Sequence, residues 1–317
     1  MGTPAAQPAL VVVVGAGRSG TSSVAGALQA LGMRVPQPEV EADPSNPRGF
    51  FEPRWVVDFH SELIHEAEIG VSDPRPQAVV QAERVGSRTT HRHRLADWLT
   101  GLDEAGDELI VKDPRTSWFQ EMWQQAALEA GHSARFLTML RHPAEVSGSR
   151  QTHYRKDESL AARRAGTITR VAGWVNVNLA SEQRHRDHPR AFVRYADLLA
   201  DWRSTLHGVH ERLGLTCAAE LDWSGPHAVD DFVDPALRRH DADWADVEVP
   251  EQLRDIAEEV WRQLGTLATS DARDAQVQKA LDELRVDYDL MFADAHALSR
   301  KPPVARRGRG RRQSGAP

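Results

Sequence analysis

Gly15, Gly17, Arg18, Ser19, Gly20, Thr21 and Ser22 crowd into a single stretch, VVVVGAGRSGTS at residues 11–22. A strand-like apolar run, a glycine-punctuated turn and the start of a helix follow one another there, and a turn of that kind aims backbone N–H groups and the positive helix end at one small volume. The chemistry such a volume offers is anion binding. Gly15, Gly20 and Ser22 match the pattern G-x-x-x-x-G-K-[ST] of a nucleoside triphosphate loop, but Thr21 stands where that loop has its lysine. The cation of this loop is instead Arg18, whose planar guanidinium can fork onto phosphate or sulfate oxygens without a metal ion. A plain glycine turn with a solvated arginine is the competing reading.

A second cluster, RHPAEVSGSR at residues 141–150, sets Arg141 at the end of an apolar run and Ser149 eight residues later, about two turns into the next helix. Pro143 stops the strand and starts that helix, which frees helix N–H groups for a second anion. Taken alone, Arg141 and Ser149 read equally well as a strand-end cation and a helix-surface hydroxyl.

The elements that must position these residues alternate. Strands are expected near 10–14, 108–112, 135–140 and 191–195. Helices are expected near 21–31, 53–69, 91–102, 126–130, 160–184, 198–213, 250–265 and 272–298. Residues 34–50 are rich in Pro, Asn and Asp and read as a loop, and residues 71–88 read as polar and irregular. Strand–helix alternation predicts an α/β fold, a three-layer sandwich with a central parallel sheet and helical elaborations. Ligands of such sheets bind at the carboxyl ends of the strands. Arg18, Lys112, Arg115 and Arg141 all fall at that edge.

With 317 residues, 40% of them hydrophobic, the chain can bury one sizeable core. We expect a disordered N-terminus over 1–9, a single domain over 10–299 and a basic disordered tail over 300–317. The segment RKPPVARRGRGRR at 300–312 carries seven cations and no acid; it is expected either to be solvated or to touch polyanions or acidic lipid. The net charge of −7 argues against general polyanion affinity for the rest of the chain. A lone cysteine, Cys217, rules out an internal disulfide and fits a reducing, cytoplasmic setting. The N-terminus has no signal-like segment, and no run is long enough to span a membrane. His91 and His93 lie two apart in a helical stretch and do not share a face, so no metal ligand set is expected. Oligomeric state is not legible.

The chain resembles the sulfotransferases that use 3′-phosphoadenosine 5′-phosphosulfate (PAPS). GAGRSGTSS looks like their 5′-phosphosulfate loop, with Arg18 where cytosolic members have lysine, and RHPAEVSGS looks like their 3′-phosphate motif, with Arg141 and Ser149 at the matching positions. NPRGFFE at 46–52 and KDPR at 112–115 are similar to segments of the bacterial branch, and RYADLL at 194–199 and FVDPALRR at 232–239 extend the likeness. The resemblance implies a P-loop-type fold and transfer of a sulfuryl group from PAPS to a hydroxyl or amine of a small-molecule or glycan acceptor. It also implies a cradle of Gly17, Arg18, Ser19, Gly20, Thr21 and Ser22, with Arg141 and Ser149 around the 3′-phosphate; Arg238 and Arg239 read either as closing over that phosphate or as a solvated pair. Catalytic candidates are Arg18 on the transferring group and Glu52 as general base, with His60, further along the same helix, as the second choice. Lys112 resembles a lysine near the acceptor in heparan-modifying members. Asp113 and Arg115 read equally well as a structural pair. Nine tryptophans, Trp55, Trp98, Trp118 and Trp174 among them, read either as sugar platforms or as core.

Two rival functions remain open at this stage. A P-loop kinase acting on a small alcohol would have to dispense with the Walker lysine and use Asp113 for magnesium. A non-catalytic nucleotide-binding protein would use the cradle without turnover.

Overall fold

The computed structural model describes residues 7–102, 107–151, 159–234, 243–245 and 247–299, with backbone alone at 149–151. The expected disordered N-terminus lies largely, and the basic tail wholly, outside the described residues, as do Arg238 and Arg239.

Four parallel strands form the centre: β1 (Ala9–Val14), β2 (Leu109–Lys112), β3 (Ser133–Leu140) and β4 (Arg190–Arg194). Their order is β2-β1-β3-β4, so the chain leaves β1 toward one side, crosses back over it and continues toward the other. Val13 pairs with Lys112 and Val14 with Thr138, so β1 and β2 end within one residue of each other and β3 runs two residues further, to Leu140. The loop after β1 therefore opens at the point where strand order reverses, the place where a crevice forms.

Helices cover both faces, and the reason is the two-residue period of the strands. Val11, Val13, Leu137, Met139, Ala191 and Val193 face α1 (Thr21–Ala30) and α9 (Trp202–Leu213) in one core. On the other face, Leu10, Val12, Val14, Leu109, Val111 and Phe136 meet α2 (Arg54–Ala67), α3 (Gln77–Gly86), α4 (Thr89–Thr100) and α5 (Gln120–Glu129). Each such aliphatic side chain contributes about 1.5–3 kcal/mol on burial. The α/β sandwich expected from the alternation is the fold observed. A third cluster joins α7 (Leu160–Arg184) to α11 (Glu251–Thr269) and α12 (Ala275–Ser299), and Phe192 anchors it to β4.

Two expectations are corrected. Residues 71–88 contain α3, whose Ala78, Ala82 and Val85 recur at helical spacing and are fully buried. Small alanines between charged residues hid that stripe. The single helix expected over 198–213 is two, α8 (Tyr195–Ala200) and α9, because the Asp201 carboxylate accepts the Ser204 N–H at 3.0 Å and caps a new helix. A 3-10 turn over Pro114–Trp118 follows β2 directly, α6 (Pro143–Gln151) follows β3, and α10 (Ala228–Phe232) stands beside α1. Among the described residues no helix is long and apolar enough to cross a membrane.

Candidate functional site

The turn between β1 and α1 is shaped by what surrounds it. Gly15 has φ 138°, and a side chain there would bring its Cβ to 2.6 Å from the Met139 carbonyl oxygen of β3. Gly20, at φ 91°, lies against the Tyr195 ring, which a Cβ would meet at 2.3 Å. Only glycine fits either position. Arg18 itself adopts φ 75°, a left-handed conformation costing a non-glycine residue about 1 kcal/mol, and its side chain is exposed at the tip of the turn. The Gly15 N–H is taken by the buried Ser117 hydroxyl at 3.2 Å.

Gly20 caps α1 without any side-chain hydrogen bond, so the first N–H groups of the helix have no acceptor from a cap. Ser19 is 1% exposed and its hydroxyl is buried with no hydrogen-bond partner. A buried hydroxyl and open helix N–H groups beside a guanidinium are the fittings of an oxyanion site. The cradle residues Gly17, Arg18, Ser19, Gly20, Thr21 and Ser22 are thus brought together on one turn. Ser22 has a further tie: Asn46 donates its amide to the Ser22 hydroxyl at 3.2 Å and to the Gly49 carbonyl at 2.6 Å.

Arg141 approaches from β3. Its Nη1 donates to the Arg18 carbonyl at 3.2 Å, its Nε donates to Glu145 at 2.9 Å, and its guanidinium lies 4.8 Å over the Tyr195 ring. The two clusters separated in sequence are therefore one surface, with Tyr195 beneath both. Ser149 falls in α6, and its side chain is outside the described residues. His142, beside Arg141, bonds Glu258 at 2.9 Å, and Trp244 donates to the same carboxylate at 2.8 Å.

On the other side of the cradle, Lys112 donates to the Glu52 carboxylate in a nearly enclosed pair, with the side chains 3% and 11% exposed. Burial pushes the Glu52 carboxyl up against the pull of Lys112, and burial pushes the Lys112 ammonium down against the pull of Glu52. Burial thus penalises the charge on both partners, and each is held by the opposite charge of the other. Glu52 arrives on the strap after Asn46, and that strap is fastened. Arg48 donates to the Phe232 carbonyl and pairs with Asp234 at 3.4 Å, while Phe51 meets the Phe232 ring edge-on at 5.6 Å.

His60 takes a different place from the one expected for a second proton acceptor. It is fully buried, its Nε2 accepts the Trp123 indole N–H at 2.9 Å, and its Nδ1 faces Asp113 at 3.6 Å. It stands behind Asp113 rather than before the cradle. Asp113 is also fully enclosed and accepts the Arg115 backbone N–H at 2.7 Å and its Nη1 at 2.8 Å. Burial works to raise Asp113, but His60 and Arg115 outweigh it and hold the carboxyl below its ordinary range. A carboxylate so placed is not presented to a magnesium ion in the cradle, which removes the one acid the kinase reading relied on. Among the described residues no cluster of His, Cys, Asp or Glu is assembled to hold a metal ion.

Of the tryptophans, Trp118 and Trp174 are core, at 1% exposure each. Trp55 and Trp98 stack on one another at 4.6 Å. Tyr195, Ser117 and Asn46 are the contributors that the sequence reading did not single out as site residues. Tyr195 had a signal, since it follows β4 at the carboxyl edge; Ser117 had none.

Residues 8–219 match the model of the sulfotransferase family. Among solved structures, the chain is similar to the sulfotransferase domain of an olefin synthase from Synechococcus PCC 7002, at 16% identity over 96% of this chain and 99% of that one, with a TM-score of 0.40. It is also similar to the sulfotransferase domain from the curacin biosynthetic pathway, at 15% identity over 82% and 99%, with a TM-score of 0.43. No curated protein matches it.

Proposed function

The chain belongs to the sulfotransferase family, and from that premise we propose that it moves a sulfuryl group from PAPS to a hydroxyl or amine of a small-molecule or glycan acceptor. The observation that carries this reading is the joining of the two anion clusters, Arg141 bonding the carbonyl of Arg18 across the cradle. A donor with one acidic group at each end needs two such clusters, and a nucleoside triphosphate needs only the first.

In this reading the turn at residues 15–20 and the first N–H groups of α1 hold the 5′-phosphosulfate, and the Ser19 hydroxyl gains the partner it lacks. Arg18 stabilises charge spreading over the equatorial oxygens of the transferring group. Arg141, steadied by Glu145 and Tyr195, binds the 3′-phosphate, with Ser149, Arg238 and Arg239 as further ligands. Glu52 takes the acceptor proton as the acceptor oxygen or nitrogen bonds to sulfur. The bond from sulfur to the bridging oxygen breaks, and adenosine 3′,5′-bisphosphate leaves. Lys112 holds Glu52 in place through its hydrogen bond. His60 supports Asp113 and through it the strand end, so it is a positioning residue. Residues 10–299 form the catalytic unit, with the basic segment from 300 a separate appendage.

Calorimetric titration tests the donor assignment by comparing adenosine 3′,5′-bisphosphate with ATP plus magnesium. The bisphosphate is expected to bind and ATP to bind at least tenfold more weakly, roughly the worth of one charge-assisted hydrogen bond. Preference for ATP would overturn the reading. With labelled PAPS and an acceptor panel, Arg18→Ala is expected to lose about a thousandfold or more in transfer.

A further inference from the structure

The mechanism above leaves Arg115 without a task, although it ends the same KDPR segment that supplies Lys112. Its aim is fixed from behind. One edge of the guanidinium is held by Asp113 at 2.8 Å, and Asp113 is itself immobilised by the Arg115 backbone N–H at 2.7 Å, by full burial and by His60 at its back. An arginine ordered in advance gives up little freedom when its other edge meets a ligand. The side chain keeps 24% of its surface exposed, and among the described residues Asp113 is its one ion-pair partner. Arg115 lies in the turn that follows β2 directly, and β2 ends on Lys112, the partner of Glu52, so the arginine belongs to the same strand end as the proposed base.

Sheet order decides which substrate that edge can serve. β1 stands between β2 and β3, so Arg115 after β2 and Arg141 after β3 flank the cradle from opposite sides. Strands lie about 4.8 Å apart. A nucleotide running from the cradle to Arg141 extends away from β2, which leaves Arg115 on the side of Lys112 and its partner Glu52.

Resting on the sulfuryl-transfer reading, we propose that Arg115 binds an anionic group of the acceptor, a carboxylate or phosphate near the reacting hydroxyl or amine. The preferred acceptor is then an acid and not a neutral sugar or phenol. A guanidinium fork suits either oxyanion, because both present two oxygens at the right spacing.

Transfer from labelled PAPS to matched pairs tests this: 4-hydroxyphenylacetate against its amide, 3-hydroxybutanoate against its amide, and glycerol 3-phosphate against glycerol. The wild type is expected to favour the charged member of at least one pair by about tenfold or more in kcat/KM, the range of a hydrogen bond to a charged group. The pair showing the preference tells carboxylate from phosphate. Arg115→Gln is expected to shrink that ratio to within about twofold, chiefly through KM, and Arg115→Lys to retain part of it, since the charge stays and the fork is lost. Adenosine 3′,5′-bisphosphate should bind both variants as it binds the wild type. Equal use of charged and neutral twins by the wild type overturns the proposal, as does an Arg115→Lys enzyme with undiminished preference. Loss of bisphosphate binding in folded Arg115→Lys also overturns it, because Arg115 would then serve the donor. Should Arg115→Gln not fold, Arg115→Lys decides alone. Absence of bisphosphate binding by the wild type removes the donor reading, and the proposal falls with it.

Discussion

Two buried carboxylate–cation pairs sit at opposite edges of the sheet and are built differently. At the amino edge, where β4 begins, Glu182 accepts Arg190 Nη1 at 3.0 Å and Arg186 through Nε at 3.0 Å and Nη2 at 2.7 Å. Arg186 continues to Asp282 on α12 and Arg190 to the Ala272 carbonyl, so α7, β4 and α12 are locked through one saturated network. At the carboxyl edge, where β2 ends, Glu52 and Lys112 pair with each other, with no other side-chain hydrogen bond to either among the described residues, and burial penalises the charge on both. Saturation fixes structure, since every donor is spent and the geometry has no alternative. A buried pair with perturbed titration at a strand end is the kind of arrangement found at functional sites. The family membership and the position at the strand ends agree with giving the second pair the chemistry.

That contrast can be broken by exchanging the roles of the two carboxylates. Glu52→Gln should reduce transfer by about 10²–10⁴, the usual worth of a general base. A rate assay beside thermal unfolding separates that loss from a folding defect. Glu182→Gln should do the reverse, costing about 3–5 kcal/mol as two arginines lose a buried partner, with bisphosphate binding retained in the folded fraction. Equal losses of transfer by the folded fractions of the two variants would erase the distinction. A smaller effect is expected at Arg141→Ala, which should weaken adenosine 3′,5′-bisphosphate binding about tenfold to a hundredfold with little change in kcat. The smallest effect is on pH dependence. Burial raises Glu52, so transfer should fall as pH drops through a value above the ordinary 4.5 of a glutamate, because the base must be ionised. Residual transfer by Glu52→Gln should lack that acidic limb.

The stability profile carries the opposite sign at the neighbouring Asp113. Its folded carboxyl is held below the ordinary 3.8, so its contribution is present above 3.8 and is lost as pH falls through the depressed value. For Glu52 the ionised form is the one disfavoured on folding, so its share is complete below 4.5 and is lost as pH rises through its raised folded value.

Much of this was legible in the chain before any coordinate. The run Val11–Val14 into Gly15, Gly20 and Ser22 is contiguous, so strand, turn and helix N-terminus follow from neighbours alone, and the parallel sandwich follows from the order of periodic segments. Arg18 and Arg141 were readable for the same reason, as the first polar chemistry after apolar strands. Helix α3 was missed because two alanines and one valine make a weak stripe.

What only tertiary structure decided is who meets whom. Glu52 and Lys112 are 60 residues apart, Gly15 and Ser117 are 102 apart, and Arg18 and Arg141 are 123 apart. Their meetings follow from the strand order β2-β1-β3-β4, which no periodicity encodes, since every order of parallel strands shows the same alternation along the chain. The same order buried His60 behind Asp113 and put Arg115 and Arg141 on opposite sides of one cradle. Local sequence specified the anion site because a turn's backbone donors are set within a few residues; the partners around it were set by packing.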